Sequence, residues 1–579
     1  MFDLLFVDAT VVDGTGRPRY QADLGVQGDT ITDIGNLKGA PAERTINAKG
    51  LALTPGFIDI HSHADIVPYG DRYESLMEPL LRQGITTFVG GNCGLGLAPV
   101  PEPHREFIHT YWEAFSSRKL HEEIEWDDMA GFIDFLTRRG TALNIALLTP
   151  HAMLRIGAVG TETRHAHPDE TAQMARWLEE ALDQGSIGMS TGLQYFPGSQ
   201  SHVTELIDLA RVLSRKRGVF TSHLRSYSAT LPQAIDEVAL VGSEADVPIQ
   251  ISHLFWIPDY TPTLNKLMHH ALVLGSEIHK RVKLPLPLDF AAAELLQKIH
   301  QRRESGEVSI NIDAMPTSAG FTHLLAFFPP YIFNSKNKEE LIAKLRDKKM
   351  RKRIRRDIEK GDTKDWPHDG DTNWSMNFFK MMGWTTAFIM SVGSEKNRHL
   401  EGMNLVEIGK MWKMHPFDAA VELLLQEDGK VLVFETATYP GDDFVERSVY
   451  ASISDPNVSI VTDSILMGYG RPSHLFYDCY PKFFQRYVRE TGMVSLETGV
   501  RKCSGLSADS MGLPRRGYLK RNYFADLVLF DPDTIRTNSS FEKPDVYPDG
   551  IKMVVVNGQV VVDGNRYLGD KLAGAVVTH

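Results

Sequence analysis

The two ends of the chain follow a different hydrophobic pattern from its middle. Short runs that alternate apolar and polar residues fill the first fifty residues, such as Asp3 to Val12, and this period of two is typical of strands with one buried face. The last sixty residues show the same pattern, with a hairpin signal at Asn557 and Gly558. Because neither end has enough strands to bury a core alone, we expect residues 1–54 and 515–579 to form one small β-sandwich.

The middle of the chain alternates short apolar, β-branched runs with amphipathic helical stretches. The runs are Phe57 to His61, Ile85 to Val89, Leu143 to Leu148, Ile187 to Ser190, Val219 to His223, Pro248 to His253, Ser309 to Asp313 and Val458 to Asp463. Strands that alternate with helices predict a parallel sheet, and about eight of them predict a closed (β/α)₈ barrel. The predicted fold class is therefore α/β, with the barrel at residues 55–320 plus 446–514.

The alternation stops between Asp313 and Val458. That distance is too long for a connecting loop, so we expect an inserted, lid-like subdomain at residues 321–445. The insertion contains a stretch rich in Lys and Arg, Lys336 to Lys360. Acids interspersed in it favour a solvated helix over a nucleic-acid patch.

Composition and charge exclude several classes of protein. Hydrophobic residues make up 42% of the chain and charged residues 23%, as in ordinary globular proteins. The 62 Lys and Arg against 74 Asp and Glu give a formal net charge of −12, which disfavours general binding to nucleic acid or anionic membranes. Only three cysteines, an acidic N-terminal stretch and no apolar run of about 18 residues predict a cytoplasmic protein without disulfides.

The most informative stretch is the end of the first predicted barrel strand. Side chains alternate faces along a strand, so His61 and His63 point the same way. The carboxyl ends of barrel strands carry the active site, and this pair stands where two metal ligands are expected. A His-x-His pair alone is a weak signal, and coincidence is its alternative.

Other predicted strands also end in residues that bind metals. His223 and His253 each close an apolar run, Cys93 follows the second run among glycines, and Asp463 ends the eighth. Each has an ordinary alternative as a hydrogen-bonded cap or an inert buried thiol, although an unpaired buried carboxylate is costly. Together with the first pair they supply four nitrogens, a thiolate and a carboxylate, which suit one or two zinc ions with an open position for water.

This ligand set predicts hydrolysis. Bound zinc lowers the pKa of water from 15.7 to about 7 and polarises a carbonyl. Asp463 could take the proton of the water and deliver it to a leaving nitrogen as a general base and acid. Neither a Walker-type phosphate loop nor a nucleophile elbow in a strand–helix context is found.

The motifs resemble those of the amidohydrolase superfamily, specifically of the D-aminoacylase (N-acyl-D-amino-acid deacylase) family. They are Pro55 to His63, Gly84 to Thr87 with Gly91 to Gly94, Ser190 to Tyr195, Ser222 to Ser226, Ile251 to Leu254 and Phe524 to Val528. The resemblance covers nearly the whole chain and implies the barrel and sandwich described above. It also implies that the charged insertion is a mobile covering segment.

The resemblance divides the metal ligands into two sites. It implies one tight zinc site held by Cys93, His223 and His253. A second, weaker site would be faced by His61, His63 and Asp463. Asp463 would then be the catalytic acid–base residue.

Three positions that hold the substrate carboxylate in that family are apolar here. Phe255 stands where the family usually has Lys, Met315 where it has Tyr, and Leu475 where it has Arg. These residues would line the substrate pocket without charge-assisted hydrogen bonds. The departures imply a substrate that is less anionic or more apolar than an N-acyl-D-amino acid.

Other residues could still bind an anionic substrate. Arg225, Arg471 or His474 could supply the positive charge from another position, and this alternative stays open. Tyr195 is a further candidate substrate contact.

The sequence therefore predicts a zinc-dependent amidohydrolase that cleaves a carbon–nitrogen bond, other than a peptide bond, of a small N-acyl compound. An amidohydrolase for a less anionic or cyclic amide is the alternative within enzymes, and a non-catalytic barrel scaffold is the alternative outside them. The expected partner is a small-molecule amide, with neither nucleic acid nor membrane. A homo-oligomer is left open.

Overall fold

Two large sheets and one small sheet organise the protein. The computed structural model describes residues 1–67, 69–70, 72–102, 104–112, 124–228, 230–257, 262–283, 286, 288–361, 377–564, 566–569 and 571–578. Within these ranges one nine-stranded sheet joins the chain termini, a second forms the barrel, and a three-stranded sheet lies in the insertion.

The terminal sheet contains strands from both ends of the chain. They are β1 (Phe2–Val11), β2 (Tyr20–Gln27), β3 (Thr30–Gly35), β4 (Ala42–Asn47), β5 (Ala52–Pro55), β17 (Leu527–Phe530), β18 (Ile551–Val556), β19 (Gln559–Asp563) and β20 (Arg566–Tyr567). Strands β5 and β17 pair antiparallel, with Leu527 opposite Pro55, and so connect the two ends. One apolar core lies under this sheet and contains residues from both ends of the chain, among them Leu4, Phe6, Val26 and Val555. The two ends therefore bury a core together.

The barrel sheet contains one strand from each of the eight predicted runs. They are β6 (Phe57–Asp59), β7 (Ile85–Gly90), β8 (Asn144–Pro150), β9 (Gly188–Gly192), β10 (Val219–His223), β11 (Ile249–Ile251), β12 (Ile310–Ala314) and β16 (Val458–Ile460), and β21 (Val576–Val577) adds to β8. Neighbouring strands pair parallel. The first and last strands meet through a parallel bridge between Ser62 and Ser464, so the barrel is nearly closed and the predicted fold class is confirmed.

Helices surround the barrel strands. They are α1 (Tyr73–Arg82), α2 (Arg105–Trp112), α3 (Met129–Arg139), α4 (His151–Val159), α5 (Pro168–Asp183), α6 (Val203–Lys216), α7 (Leu231–Ala245), α8 (Pro262–His279), α9 (Phe290–Glu304), α15 (Tyr450–Ser454), α16 (Leu475–Phe483), α17 (Leu496–Cys503) and α18 (Gly505–Met511). In α6 the fully buried residues are Leu206, Leu209, Ala210 and Leu213, and their spacing gives the helix one apolar face against the barrel.

The chain between β12 and β16 forms the small sheet with helices. Its strands are β13 (Gly320–His323), β14 (Ala387–Val392) and β15 (Val431–Glu435), and its helices are α10 (Lys338–Arg346), α11 (Lys348–Lys360), α12 (Phe378–Met382), α13 (Leu405–Trp412) and α14 (Pro416–Gln426). Residues 362–376 of the predicted insertion lie outside the described residues, and the predicted limits of the three domains stay a prediction.

The basic stretch of the insertion is two helices, so the single predicted helix is wrong. Helix α10 ends at Arg346, and the Asp347 side chain accepts a hydrogen bond of 2.7 Å from the Met350 amide. When an Asp side chain caps the first turn of a new helix, the preceding helix does not continue through that residue. In the described part of the chain, no helix has the length and apolar character needed to cross a membrane.

Candidate metal centre

Three of the predicted histidine ligands meet around a fourth predicted ligand, Cys93, at the carboxyl ends of the barrel strands. Cys93 Sγ lies 3.2 Å from His61 Nε2, 3.6 Å from His253 Nε2 and 3.7 Å from His223 Nδ1. His223 Nδ1 is in turn 2.9 Å from His253 Nε2. Strands β6, β10 and β11 therefore aim three imidazoles at the thiol that follows β7.

The remaining two predicted ligands extend this cluster. Asp463 Oδ1 lies 3.4 Å from His61 Nε2 and 3.2 Å from His63 Nε2. Two groups of donor atoms result, His61 with Cys93 and His253, and His61 with His63 and Asp463, and within each group all atoms lie within 4.8 Å of one another. His61 Nε2 faces both groups, so the two groups lie side by side and share a donor whose single lone pair binds one cation.

Three of these residues adopt unusual backbone conformations. The φ angles of Cys93, His253 and Asp463 are 52°, 34° and 55°. Positive φ at residues other than glycine is uncommon and costs on the order of 1–3 kcal/mol in sparsely populated regions. Before Cys93, Gly91 has φ 78°, and a Cβ there would lie 2.3 Å from the Leu148 carbonyl oxygen. Only glycine allows the chain to turn this tightly toward the cluster.

Polar residues behind the cluster hold the donors in place. Asp313 accepts a 2.6 Å hydrogen bond from the His253 amide, and its Oδ1 lies 3.6 Å from His61 Nδ1. Gln194 Oε1 lies 3.0 Å from His223 Nε2, which favours the tautomer whose Nδ1 lone pair faces Cys93. Such outer contacts orient metal-binding histidines.

A second carboxylate fixes the loop that carries Asp463. Asp59 accepts hydrogen bonds from the Thr462 amide at 3.1 Å and from the Thr462 hydroxyl at 2.5 Å. Asp313 ends one of the predicted apolar runs and Asp59 interrupts another, which is a signal that sequence reasoning could have used. Gln194 lies in a loop after β9 and carried no such signal.

The electrostatics of the cluster fit a cation. Burial and neighbouring histidines hold the pKa of His61 well below its usual value, so this imidazole is neutral. Burial, with the charges of Asp463 and Asp313, raises the pKa of the Cys93 thiol far above its usual value, and this is the environment in which a positive ion stabilises a thiolate. Neutral imidazoles, a thiolate and a carboxylate are the donors that zinc accepts.

Two of the predicted substrate residues lie beside these donors. The Tyr195 ring is centred 4.5 Å from the His223 ring. The Phe255 ring stacks on Tyr227 at 4.4 Å and lies 6.1 Å from the His253 ring. Met315 is buried directly after β12. Tyr195 and Phe255 therefore place aromatic rings next to the cluster.

The cationic candidates are engaged elsewhere. The Arg225 guanidinium is buried against Glu237, with Nη2 to Oε1 at 2.9 Å, and donates to the carbonyl oxygens of Ser199 and Ser201 at 3.0 Å. Burial raises the pKa of the Glu401 carboxyl, and the positive charge of Arg471 acts against this rise.

The other two candidates near α16 are packed among apolar groups. His474 is buried against the Phe541 ring at 4.4 Å, and burial lowers its pKa well below the usual value. Leu475 is fully buried at the start of α16. Neither side chain presents a positive charge.

The structure adds a carboxylate that sequence reasoning missed. Burial and the charge of Asp463 raise the pKa of Glu435, the last residue of β15, to about 8, and Glu435 in turn helps to raise the pKa of Tyr195. The inserted sheet therefore brings an acid into the electrostatic range of the cluster, from a sequence position without a local signal.

Comparison with known proteins identifies the family. The model of the amidohydrolase family matches residues 44–357 and 452–562, and the chain therefore belongs to this family. The unmatched stretch between these ranges lies within the segment that separates β12 from β16.

Individual relatives match along the whole chain. D-aminoacylase of Alcaligenes xylosoxydans xylosoxydans is 29% identical over 584 residues, covering 100% of this chain and 97% of the relative. N-acyl-D-glutamate deacylase from Bordetella bronchiseptica, solved with zinc and a phosphonate inhibitor, is 25% identical with a TM-score of 0.74 and full coverage of both chains. A D-aminoacylase structure concerned with its binuclear metal centre is 26% identical, with a TM-score of 0.71 and full coverage of both.

These relatives confirm the predicted resemblance to the D-aminoacylase family. They also confirm the predicted enzyme class, an amidohydrolase that acts on carbon–nitrogen bonds other than peptide bonds. The donor set described above and the metal centres of the solved relatives support metal dependence.

Proposed function

We propose that this protein is a zinc-dependent deacylase, which hydrolyses the amide bond of a small N-acyl compound. The observation that carries the proposal is the pair of donor groups that share His61 at the mouth of the barrel. Full-length similarity to D-aminoacylase supports it. A scaffold without catalysis would have no need for this convergence of buried, strained donors.

We assign the metal ligands as the family resemblance implies. The tight site would be held by Cys93, His223 and His253. The second, weaker site would be faced by His61, His63 and Asp463. When bound, zinc supplies Lewis acidity, which acidifies water and polarises a carbonyl group.

Asp463 would move the proton in this reaction. Its carboxylate is positioned by the Thr462 contacts to Asp59 and lies beside two imidazoles. From there it would accept the proton of the attacking water and then donate it to the leaving nitrogen. The high pKa of Tyr195 keeps its phenol protonated, so Tyr195 would act as a hydrogen-bond donor to the substrate.

The substrate would carry little negative charge. Phe255 and Met315 would line the pocket, and the buried Leu475 supplies no cation behind it. Arg225 pairs with Glu237 in the fold and Arg471 acts on Glu401, so we propose only indirect roles for these two arginines. Burial raises the pKa of Glu435 to about 8, so its carboxyl would be mostly neutral at about pH 7 and would repel an anionic substrate only at higher pH. The apolar Phe255 favours the second candidate function, an amidohydrolase for less anionic or cyclic amides.

We also propose a cytoplasmic location. The three cysteines are buried and free, as is typical of proteins in a reducing compartment.

Metal analysis combined with a paired substrate screen tests the proposal. Purified protein is analysed for zinc and then assayed on N-acetyl amino acids of both enantiomers, each alongside its carboxamide. We expect bound zinc and hydrolysis of the N-acyl bond, faster for the carboxamides. Absence of zinc together with absence of turnover after zinc reconstitution would contradict the function and favour a scaffold, whereas a strong preference for free acids would contradict only the substrate class.

A further inference from the structure

A buried asparagine connects the two segments that follow β6 and β7. Asn92 begins the short turn Asn92–Gly94 and is 1% exposed. Its Nδ2 atom donates to the carbonyl oxygens of Val89 at 2.9 Å, Ile60 at 3.3 Å and Ser62 at 3.4 Å. Only the amide nitrogen can face three carbonyl oxygens, so the side chain acts as a donor to both segments.

Two of these carbonyl groups flank His61 in the chain. The regular ladder between β6 and β7 ends at Asp59, and the His-x-His segment begins two residues later. Beyond that point the Asn92 side chain donates to the carbonyl oxygens of Ile60 and Ser62. The side chain therefore continues the connection between the two strands where the first metal-binding residues stand.

The loop after β16 holds the other side of the same segment. The Asp463 amide donates to the His61 carbonyl oxygen at 2.9 Å, and the His63 amide donates to the Ser464 carbonyl oxygen at 2.7 Å. The segment with both histidines is thus bonded to the Asp463 loop on one side and to Asn92 on the other. Neither histidine can shift along the barrel edge without breaking these bonds.

The contacts of Asn92 also bear on the thiol. Cys93 directly follows Asn92, and its Sγ lies 3.2 Å from His61 Nε2. The two side chains come from different strands, so their separation depends on how the two segments are joined. Cys93 has a φ angle of 52°, and a residue in this sparsely populated region persists only where its surroundings hold it. The hydrogen bonds of the preceding asparagine hold it at this place.

We propose that Asn92 is a positioning residue of the metal centre, which keeps the Cys93 thiol beside His61 and so joins the two groups of donors. The inference rests on the proposed metal-dependent function. Asn92 acts through the backbone of its neighbours and not as a ligand. Contacts that orient ligands in this way typically change metal affinity by about 10- to 100-fold.

Zinc affinity of the full-length protein, measured by competition with a chelator, tests the proposal. Asn92→Ala removes the amide, and Asn92→Leu removes it while nearly keeping the size of the side chain. The matched control is Asn377→Ala in the inserted segment, because Asn377 Nδ2 also donates to two backbone carbonyl oxygens, those of Ile358 at 2.7 Å and Asp357 at 3.4 Å. We expect the control to bind zinc as the wild type does and both Asn92 variants to bind it about 10- to 100-fold more weakly.

Cobalt in place of zinc gives a readout that a merely structural role would not change. Co²⁺ bound by a thiolate absorbs light through sulfur-to-metal charge transfer, so this absorption reports on Cys93 itself. At saturating Co²⁺ we expect weaker absorption in both Asn92 variants and the wild-type absorption in Asn377→Ala. Circular dichroism verifies folding, and each Asn92 variant carries the test should the other misfold.

Three results would overturn the inference. Zinc affinity of Asn92→Leu within about threefold of that of Asn377→Ala would show that the donated hydrogen bonds do not position the thiol. Weaker zinc binding with unchanged cobalt absorption, or misfolding of both Asn92 variants, would assign Asn92 to the fold as a whole. A wild type that binds neither zinc nor cobalt would instead contradict the proposed function together with this inference, whereas the other results leave that function standing.

Discussion

The donor cluster and the wall around it are built in different ways. The donors stand at or directly after barrel strands, where parallel pairing brings distant residues to one edge. We propose that the wall combines Phe255 and Met315, which follow β11 and β12, with Glu435 from the inserted sheet, whose pKa responds to the charge of Asp463. The first region is therefore fixed by the fold itself, whereas the second depends on segments that can change without changing the barrel. We infer that the cluster sets the chemistry and the wall sets the substrate.

The largest loss of activity is expected when the general base of the cluster is removed. Asp463→Asn keeps the size of the side chain but loses the general base, so we expect kcat to fall by ~10³-fold. Zinc content at the tight site and the circular dichroism spectrum should be unchanged. Turnover within tenfold of the wild type would show that another group carries the proton.

Removing the thiol should break the cluster at its metal. Cys93→Ala deletes the atom that three imidazoles surround, and we expect less than about a tenth of the wild-type zinc to survive dialysis. The matched control is Cys503→Ala, another buried free cysteine, which should retain its zinc. Equal zinc content in the two variants would refute the ligand role of Cys93.

A smaller change should weaken the affinity for the metal without abolishing metal binding. Gln194→Ala removes the 3.0 Å contact to His223, and loss of such an outer contact typically weakens metal affinity by 10- to 100-fold. Competition with a chelator measures the affinity. Gln301→Ala, an exposed glutamine on α9, should leave it unchanged, and equal affinities for both variants would mean that the Gln194 contact does not orient His223.

The mildest expected effect concerns the wall. The Glu435 carboxyl has a pKa of about 8, so Glu435→Gln removes a negative charge only above that pH. At about pH 9 we expect kcat/KM for an N-acyl amino acid relative to its carboxamide to rise about tenfold, or about 1.4 kcal/mol. The control Glu395→Gln changes an exposed carboxylate of the same inserted segment. An unchanged ratio would remove Glu435 from substrate selection.

Much of the cluster could be predicted because its signals are local. A strand that ends in histidine can be recognised within five residues, as in Val219 to His223, which form β10. Parallel pairing then brings these strand ends together, because all strands of a barrel end at the same edge. The contact of Gln194 with His223 could not be predicted in this way, because Gln194 lies in a loop, where periodicity carries no information.

The fate of charged side chains could not be predicted in the same way. Arg225 was a candidate for binding substrate, yet it is buried with Glu237, twelve residues further along on α7. Whether a guanidinium meets a carboxylate or a ligand depends on how a helix packs against a loop. That geometry is absent from any short window of sequence.

The sequence by itself determined the barrel, the pairing of the two β-rich ends and the edge where the candidate ligands meet, because periodicity and strand ends are local properties. Tertiary structure decided the rest. It placed Glu435 near Asp463 and turned the apolar face of α8 toward solvent, against the inward orientation that its pattern alone favours. The physical reason is that periodicity shows which residues share a face, while only packing decides what that face contacts.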